Sequence, residues 1–271
     1  LAHGRWDVRG SLDYSLFDEG AALFFKHALG TVNTTGAGPY THTITPGNAL
    51  DGLSLTVQEG IPDQAATPVV NPWTYVGCKV VSLGVTINDT DATLSVGLVG
   101  MDKKIAADGG VFVLQTASVP ATVSRFLPEH FSLTLDPTGA SSEVARCVRS
   151  FSMDITNNLD ENRYCLGTAI RKEPLQVAGV TREVTGTIQL EWANIADYTR
   201  YAAQTITDMT WAVDNGTDSI TCTLDVETTG GAKPQIQPNG LIYESLTYRA
   251  VGNTADSDAL SVVIVDVNAA P

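Results

Sequence analysis

Positive charge is scarce in this sequence. Sixteen Lys and Arg stand against 30 Asp and Glu, a net charge of −14. Nucleic acid is repelled by such a chain, so free binding to DNA or RNA through phosphate contacts is excluded. The deficit is spread over both halves: 12 acids face 7 bases in residues 1–135, and 18 face 9 in residues 136–271. No apolar run is long enough for a transmembrane helix, which needs about 18 or more residues. Cysteine is confined to Cys78, Cys147, Cys165 and Cys222, without a CxxC pair, and His3, His27, His42 and His130 are scattered. Zinc spacing is therefore absent, and buried free thiols are expected. GxSxG, HExxH, P-loop and GxGxxG patterns are all missing. The acid pairs Asp89/Asp91, Asp160/Glu161 and Asp256/Asp258 fall in turn-like stretches, where carboxylates cap turns and keep loops soluble. His27 beside Phe24 and Phe25 reads as packing. No enzyme, cofactor or metal is expected.

What is abundant points to β structure. Thr (32) and Val (27) exceed a fifth of the 271 residues, and both are β-branched and suit a pleated sheet. With 24 Gly and 12 Pro, many short strands separated by turns are expected, rather than a helical bundle. Charged residues are only 17% and hydrophobic residues 43%, which excludes a disordered tail. The length allows one large domain or two of ordinary size.

Three blocks recur. Residues 77–88, 145–156 and 240–250 align on Ser82, Ser150 and Ser245. Each has apolar residues one, three and five places later, the period-two signature of a half-buried strand. Each is followed by a polar turn (88–91, 157–162, 252–258) and a second apolar run, so three β-hairpins are predicted. Val8, Gly10 and Leu12 match Val184, Gly186 and Ile188, and both strands run into a helix. The first helix is predicted over 18–29 with Asp18 as N-cap. The second is predicted over 194–206 with Asn194 as N-cap and Ile195, Tyr198, Tyr201 and Ala202 on one side. Single strands recur at 53–57, 131–135 and 220–224.

The order strand–helix, single strand, hairpin is complete in the second half and truncated in the first. The reading is a tandem duplication of one β-rich unit: residues 1–102, a linker at 103–125, and residues 126–271. The chain begins at Leu1 without Met, and the truncation leads to the expectation that about fifty residues precede it. Lys103, Lys104 and Asp108–Gly110 mark a turn-rich connection, with Val111–Leu114 as a possible short strand. Residues 60–72, containing Pro62, Asp63 and Pro68, and their counterpart 228–239, containing Pro234 and Pro238, read as long loops that contact something.

Trp6, Trp73, Trp192 and Trp211 read as core or inter-copy packing in preference to a sugar platform. An immunoglobulin fold is excluded because no Trp lies between Cys78 and Cys147. The polar faces of the strands are short, hydroxylated and acidic: Ser82, Gly84 and Thr86; Thr93, Ser95 and Gly97; Ser150, Ser152, Asp154 and Thr156; Asp13 and Ser15; Gln189 and Glu191; Thr221, Thr223 and Asp225. Such a face is either solvated or a wall that a polyanion passes without sticking.

The stretch from Gly10-Ser-Leu-Asp-Tyr14 through Glu19-Gly-Ala-Ala-Leu-Phe-Phe25 to Thr45-Pro46-Gly47 resembles the major tail tube proteins of long-tailed phages with non-contractile tails. Leu53-Ser-Leu-Thr-Val57 and Tyr75-Val-Gly-Cys-Lys-Val80 fit the same family. The resemblance is distinct over residues 5–102 and rests on the duplication beyond. It implies a mainly β fold, two tandem sandwich or barrel units each with one flanking helix. It also implies a virion protein, assembled in the host cytoplasm into stacked rings around a channel for DNA ejection. The duplication makes pseudo-hexameric trimers the favoured ring. Expected partners are further copies of the chain and tape-measure, distal tail and terminator proteins, with DNA passing unbound and no membrane. Asp13, Ser152, Asp154, Gln189 and Glu191 are the candidate lumen residues. Lys103, Lys104, Pro62, Asp63, Pro234 and Pro238 are the candidate assembly-loop residues. The competing reading is a secreted or surface β-sandwich module that binds carbohydrate or acts as an adhesin, supported by the three Asn-x-Thr sequons, the Trp residues and the long loops.

Overall fold

Alternating apolar and polar residues form strands along most of the chain. A computed structural model describes residues 6–47, 50, 52–105, 113–116, 123–137, 147–176, 182–193, 195–231, 233–236, 240–252 and 260–271. In the first half, β1 (Val8–Ser15) leads to α1 (Ala21–Leu29), β2 (Gly30–Thr35) and β3 (Tyr40–Pro46). Then come β4 (Leu55–Pro62), the long β5 (Val70–Ile87), β6 (Ala92–Gly100) and β7 (Asp102–Lys104). The second half opens with β8 (Phe131–Pro137), β9 (Val148–Thr156), β10 (Leu159–Asp160), β11 (Leu175–Gln176) and β12 (Glu183–Glu191). After α2 (Ala196–Ala203) follow β13 (Ile206–Asp214), β14 (Ser219–Gly230), β15 (Gln235–Ile236), β16 (Ile242–Ala250) and β17 (Leu260–Asp266).

One large antiparallel sheet runs β1-β6-β5-β9-β12-β16-β14-β17-β3-β2, with β13 and then β8 on the other edge of β14. The first half of β14, Ser219–Leu224, pairs with β17. Its second half, Val226–Gly230, pairs with β16 on that same edge. The sheet therefore divides at β14 into two layers. One is β1-β6-β5-β9-β12-β16; the other is β8-β13-β14-β17-β3-β2. They pack face to face, with Phe151 of β9 5.5 Å from Trp211 of β13 between ring centroids. Met153 Sδ lies 4.0 Å from Cys222 Sγ. One buried cluster joins Leu83, Val85, Leu94 and Val96 from the first half to Ile155, Ile188, Leu224 and Val262 from the second. Full burial of such side chains contributes about 1.5–3 kcal/mol each.

Helix α1 buries Ala21, Ala22, Phe25, Ala28 and Leu29 along one stripe, against β5 and the β2–β3 hairpin. Its ends are set by Gly20 and Gly30, at φ +87° and +109°. Asp18 does not cap it: the buried carboxylate accepts from the Ser124 N–H at 3.0 Å, a partner far along the chain. In α2 the expected face is reversed. Asp197 is buried and paired with Arg200 at 2.6 Å, while Ile195, Tyr198 and Tyr201 are exposed. Asn194 lies outside the described residues.

Of the predicted hairpins, only β5–β6 forms as such. β9 pairs with β5 and β12 instead, and residues 163–170 form no strand, with a turn at 166–167 and a bend at 169–170. β16 and β17 both form, yet each pairs with β14, whose length offers both of them backbone partners. Residues 60–72 are largely a hairpin arm: β4 pairs with the start of β5, Pro62 lies opposite Val70, and the turn is 63–69. Lys103 and Lys104 also belong to a strand, opposite Tyr75 and Thr74. Of the short strand expected at Val111–Leu114, the first two residues lie outside the described ones and Val113 and Leu114 are not strand.

Residues 161–176 strap across the start of β1. Arg171, 1% exposed, donates to the Gly100 carbonyl at 3.1 Å and pairs with Asp7. The Tyr164 hydroxyl donates to the Trp6 carbonyl at 2.6 Å, and the Trp6 N–H to the Ala169 carbonyl at 3.1 Å. Buried Lys79 holds Glu173 at 2.6 Å. That pair pulls the Glu173 carboxyl below its ordinary value, the Lys79 hydrogen bond being the main cause.

Candidate functional site: a hydroxyl-lined sheet face

Directly paired residues on antiparallel strands point to the same side of a sheet. In the β1–β16 layer one side is the core, and the other carries short polar residues in rows. The first row reads Ser15, Thr93, Thr86, Ser152, Thr187 and Thr247. The next reads Asp13, Ser95, Gly84, Asp154, Thr185 and Arg249. A third holds Ser11, Gly97, Ser82, Thr156 and Glu183, and a shorter one Ser150, Gln189 and Ser245. No apolar side chain interrupts these rows.

The hydroxyls bond among themselves. Ser152 and Thr187 lie 2.9 Å apart. Ser95 donates to Asp13 at 2.5 Å, and Ser11 to the same carboxylate at 3.2 Å. Two glycines keep the face low. A Cβ on Gly84 would lie 2.7 Å from Asp154 Oδ1, and one on Gly97 would overlap the Ser82 hydroxyl.

Positive charge on this face is confined to its margins and is neutralised there. Arg249 pairs with Glu227 at 3.0 Å and Arg149 with Glu191 at 3.7 Å, while Arg9 is held by Asp7 and Glu161. Among the described residues no ion pair reaches Asp154 in the middle of the face or Asp13 on its β1 edge. Burial raises the Asp154 carboxyl above its ordinary value.

The opposite layer has a less uniform outer side. There Thr221 lies beside Ala212 and Val263, and Ser219 beside Val265. Among the described residues, no group of three or more His, Cys, Asp or Glu side chains could hold a metal ion. The four cysteines are free; Cys78 and Cys222 are buried, Cys165 is half-buried outside any strand, and Cys147 is exposed. Burial pushes the Cys78 thiol up. His27 is a packing residue whose Nδ1–H donates to the Leu23 carbonyl at 2.8 Å, and burial lowers its pKa.

All five candidate lumen residues stand on this one face: Asp13, Ser152, Asp154 and Gln189 within the rows, and Glu191 at the end opposite Tyr243. The assembly-loop candidates are dispersed. Pro62 and Asp63 sit on the β4–β5 arm, where Asp63 Oδ1 accepts from the Ala65 and Val69 N–H groups at 3.2 and 3.1 Å. Pro234 lies between β14 and β15, and Pro238 lies outside the described residues. Lys103 is folded inward over Trp6 and Trp73, 4.5 and 5.0 Å from the ring centroids, and Lys104 pairs with Asp102 at 2.5 Å. The Trp residues thus form no shared platform: Trp211 is fully buried, two rings stack on a lysine, and Trp192 stands apart. Sequence reasoning missed Ser245, Thr247 and Arg249 as part of the face, although their alternation with Leu246 and Tyr248 carried the signal.

Among curated proteins none matches the sequence. The sequence family described as phage tail tube protein matches residues 3–250.

Proposed function

The chain belongs to the phage tail tube protein family, and from that premise we propose that the hydroxyl-lined face is the inner wall of a channel for phage DNA. Members are structural components of the virion that assemble with copies of themselves into a tube, and are not enzymes. One observation carries the reading: six adjacent strands present rows of Ser, Thr, Gly and Asp with no unpaired base in their midst. A polyanion sliding over such a face meets no unpaired cation to arrest it, and the carboxylates of Asp13, Asp154, Glu183 and Glu191 repel it.

In this reading the tail is of the long, non-contractile type. The recurring blocks of residues 1–102 and 126–271 are duplicated tube units joined through 103–125, their strands merged into one sheet. Three chains then form a pseudo-hexameric ring, and rings stack. Channel width supports three over six. Counting the β1–β16 layer and the second half of β14, which continues it along β16, twenty-one tilted strands close a barrel about 42 Å across between backbones, and forty-two strands one of about 84 Å. The first passes a DNA duplex between short side chains; the second is far wider than a duplex needs. Among the described residues β1 pairs with β6 alone, leaving an edge that a neighbouring copy completes. Tape-measure, distal tail and terminator proteins are the proposed further partners, and the host cytoplasm the proposed place of assembly.

The test is imaging of assembled tubes with side-chain detail, together with a Thr86→Lys/Ser152→Lys/Thr187→Lys variant. The expected result is Ser152 and Asp154 on the lumen, and variant tubes that retain DNA in a salt-sensitive way. A lumen lined by Thr210, Thr223 and Val263, or by Lys and Arg, overturns the assignment.

A further inference from the structure

Helix α2 turns its apolar side outward, and exposed apolar residues also stand just after β12, which precedes it in the chain, and on β15, which pairs with β16. The Trp192 N–H donates to the Ile242 carbonyl at 3.0 Å, and Ile236 lies directly opposite Ile242. Trp192, Ile242 and Ile236 therefore form a row across the end of β12, β16 and β15. Ile195, Tyr198 and Tyr201 follow Trp192 closely in the chain and stand exposed on the helix, and Leu241 precedes Ile242. Exposure is high: Ile236 77%, Ile195 67% and Tyr198 51%. A strip of this kind on a soluble chain marks an interaction surface, and Trp and Tyr are the residues that anchor such surfaces.

A second apolar feature stands elsewhere on the chain. On the β4–β5 arm, Ile61, Val69 and Val70 are 41%, 60% and 44% exposed. Val113 and Leu114 lie alongside: Gln58 Nε2 donates to the Val113 carbonyl at 3.3 Å, and the Gln115 N–H to Gln58 Oε1 at 2.7 Å. The charges of the two features are complementary. Between Leu55 and Pro72 the charged residues are Glu59 and Asp63, both acidic; between Thr228 and Leu241 the one charged residue is Lys233.

We propose that the β4–β5 arm of one copy of this chain docks on the Trp192–α2–β15 strip of the next copy. The inference deepens the self-assembly reading and rests on it. The two surfaces differ, so the contact is heterologous: every copy gives its arm to one neighbour and its strip to another, and the contact propagates. Glu59 and Lys233 flank the apolar centre and set its register.

Two variants test this on the full chain. An arm variant carries Ile61→Asp and Val70→Asp; a strip variant carries Ile236→Asp and Leu241→Asp. All four positions are exposed, so both variants keep the fold, checked by circular dichroism and unfolding midpoint. Each alone stays monomeric, because the β1 edge closes a ring only when the arm contact is made as well. Mixed in equal amounts they form a complex of twice 28.7 kDa and nothing larger, because one intact arm meets one intact strip. Adding Glu59→Lys to the strip variant, or Lys233→Glu to the arm variant, weakens that complex about threefold, and adding both restores it. A mixture that stays monomeric, or a charge swap without rescue, overturns the contact. The lumen assignment is read separately, from the orientation of Ser152 and Asp154 in wild-type tubes.

Discussion

Gly186 sets how closely β12 approaches its neighbours. A methyl group there would overlap the Ser152 carbonyl and the Tyr248 hydroxyl, and the carbonyl belongs to the backbone and cannot turn aside. Gly186→Ala is expected to cost about 3 kcal/mol in urea unfolding, whereas Gly10→Ala, with nothing within 4 Å, stays within about 0.5 kcal/mol. Equal costs at the two sites would contradict the close-approach account. A second residue works against stability. Asp218 is 8% exposed, and its Oδ1 has no hydrogen-bond partner among the described residues. Burial, and then the nearby carboxylates of Asp18 and Asp266, raise its pKa above the ordinary value. The folded state therefore holds a proton more tightly than the unfolded one, and stability falls as pH rises through the raised pKa. Asp218→Asn is expected to raise the urea midpoint at pH 7, with the gain shrinking as pH falls into the ordinary carboxylate range. A lowered midpoint at pH 7 would rule this out. That Asp13, Ser152, Asp154, Gln189 and Glu191 belong to polar strand faces was legible because alternation alone separates residues such as Ser152 and Asp154 from Phe151 and Met153. The role of Asp18 was not, because its partner Ser124 lies 106 residues away.

At the scale of elements, the 161–176 strap hangs on Arg171. Arg171→Ala leaves the Gly100 carbonyl without its buried donor, a local cost of about 2 kcal/mol. Hydrogen exchange should quicken at the Trp6 and Lys172 amides, which bond to Ala169 and Arg163, and stay unchanged in β9 and β12. Uniform quickening across the sheet would mean that the strap is part of the global unfolding unit. Strands were the readable elements: 131–135 and 220–224 lie on β8 and β14, and 53–57 overlaps β4 from Leu55 onward. Their pairing was not readable, since sequence neighbours β16 and β17 both had a longer strand available. For α2, periodicity defined two faces without saying which turns inward. The Asp197–Arg200 pair and the surface it packs on decided that, and left Tyr198 and Tyr201 outside.

For the whole molecule, the expected assembly is a stack of rings with three chains each. Mass measurement of an isolated ring, or counting subunits in end-on images, checks it; six whole chains per ring would reject it. The recurring blocks were legible in the sequence, and so was a polar strand face. The merging of both halves around one buried cluster was not, because it depends on β9 reaching β5 and on β17 reaching β3. β14 is the strand on which both layers hang. A drag on the wall enters it from β16 through Val226–Gly230 and leaves through Ser219–Leu224 into β17, with β13 bracing the far edge. The load is thus taken as shear along many bonds in parallel, and neither layer can be peeled from the other one bond at a time.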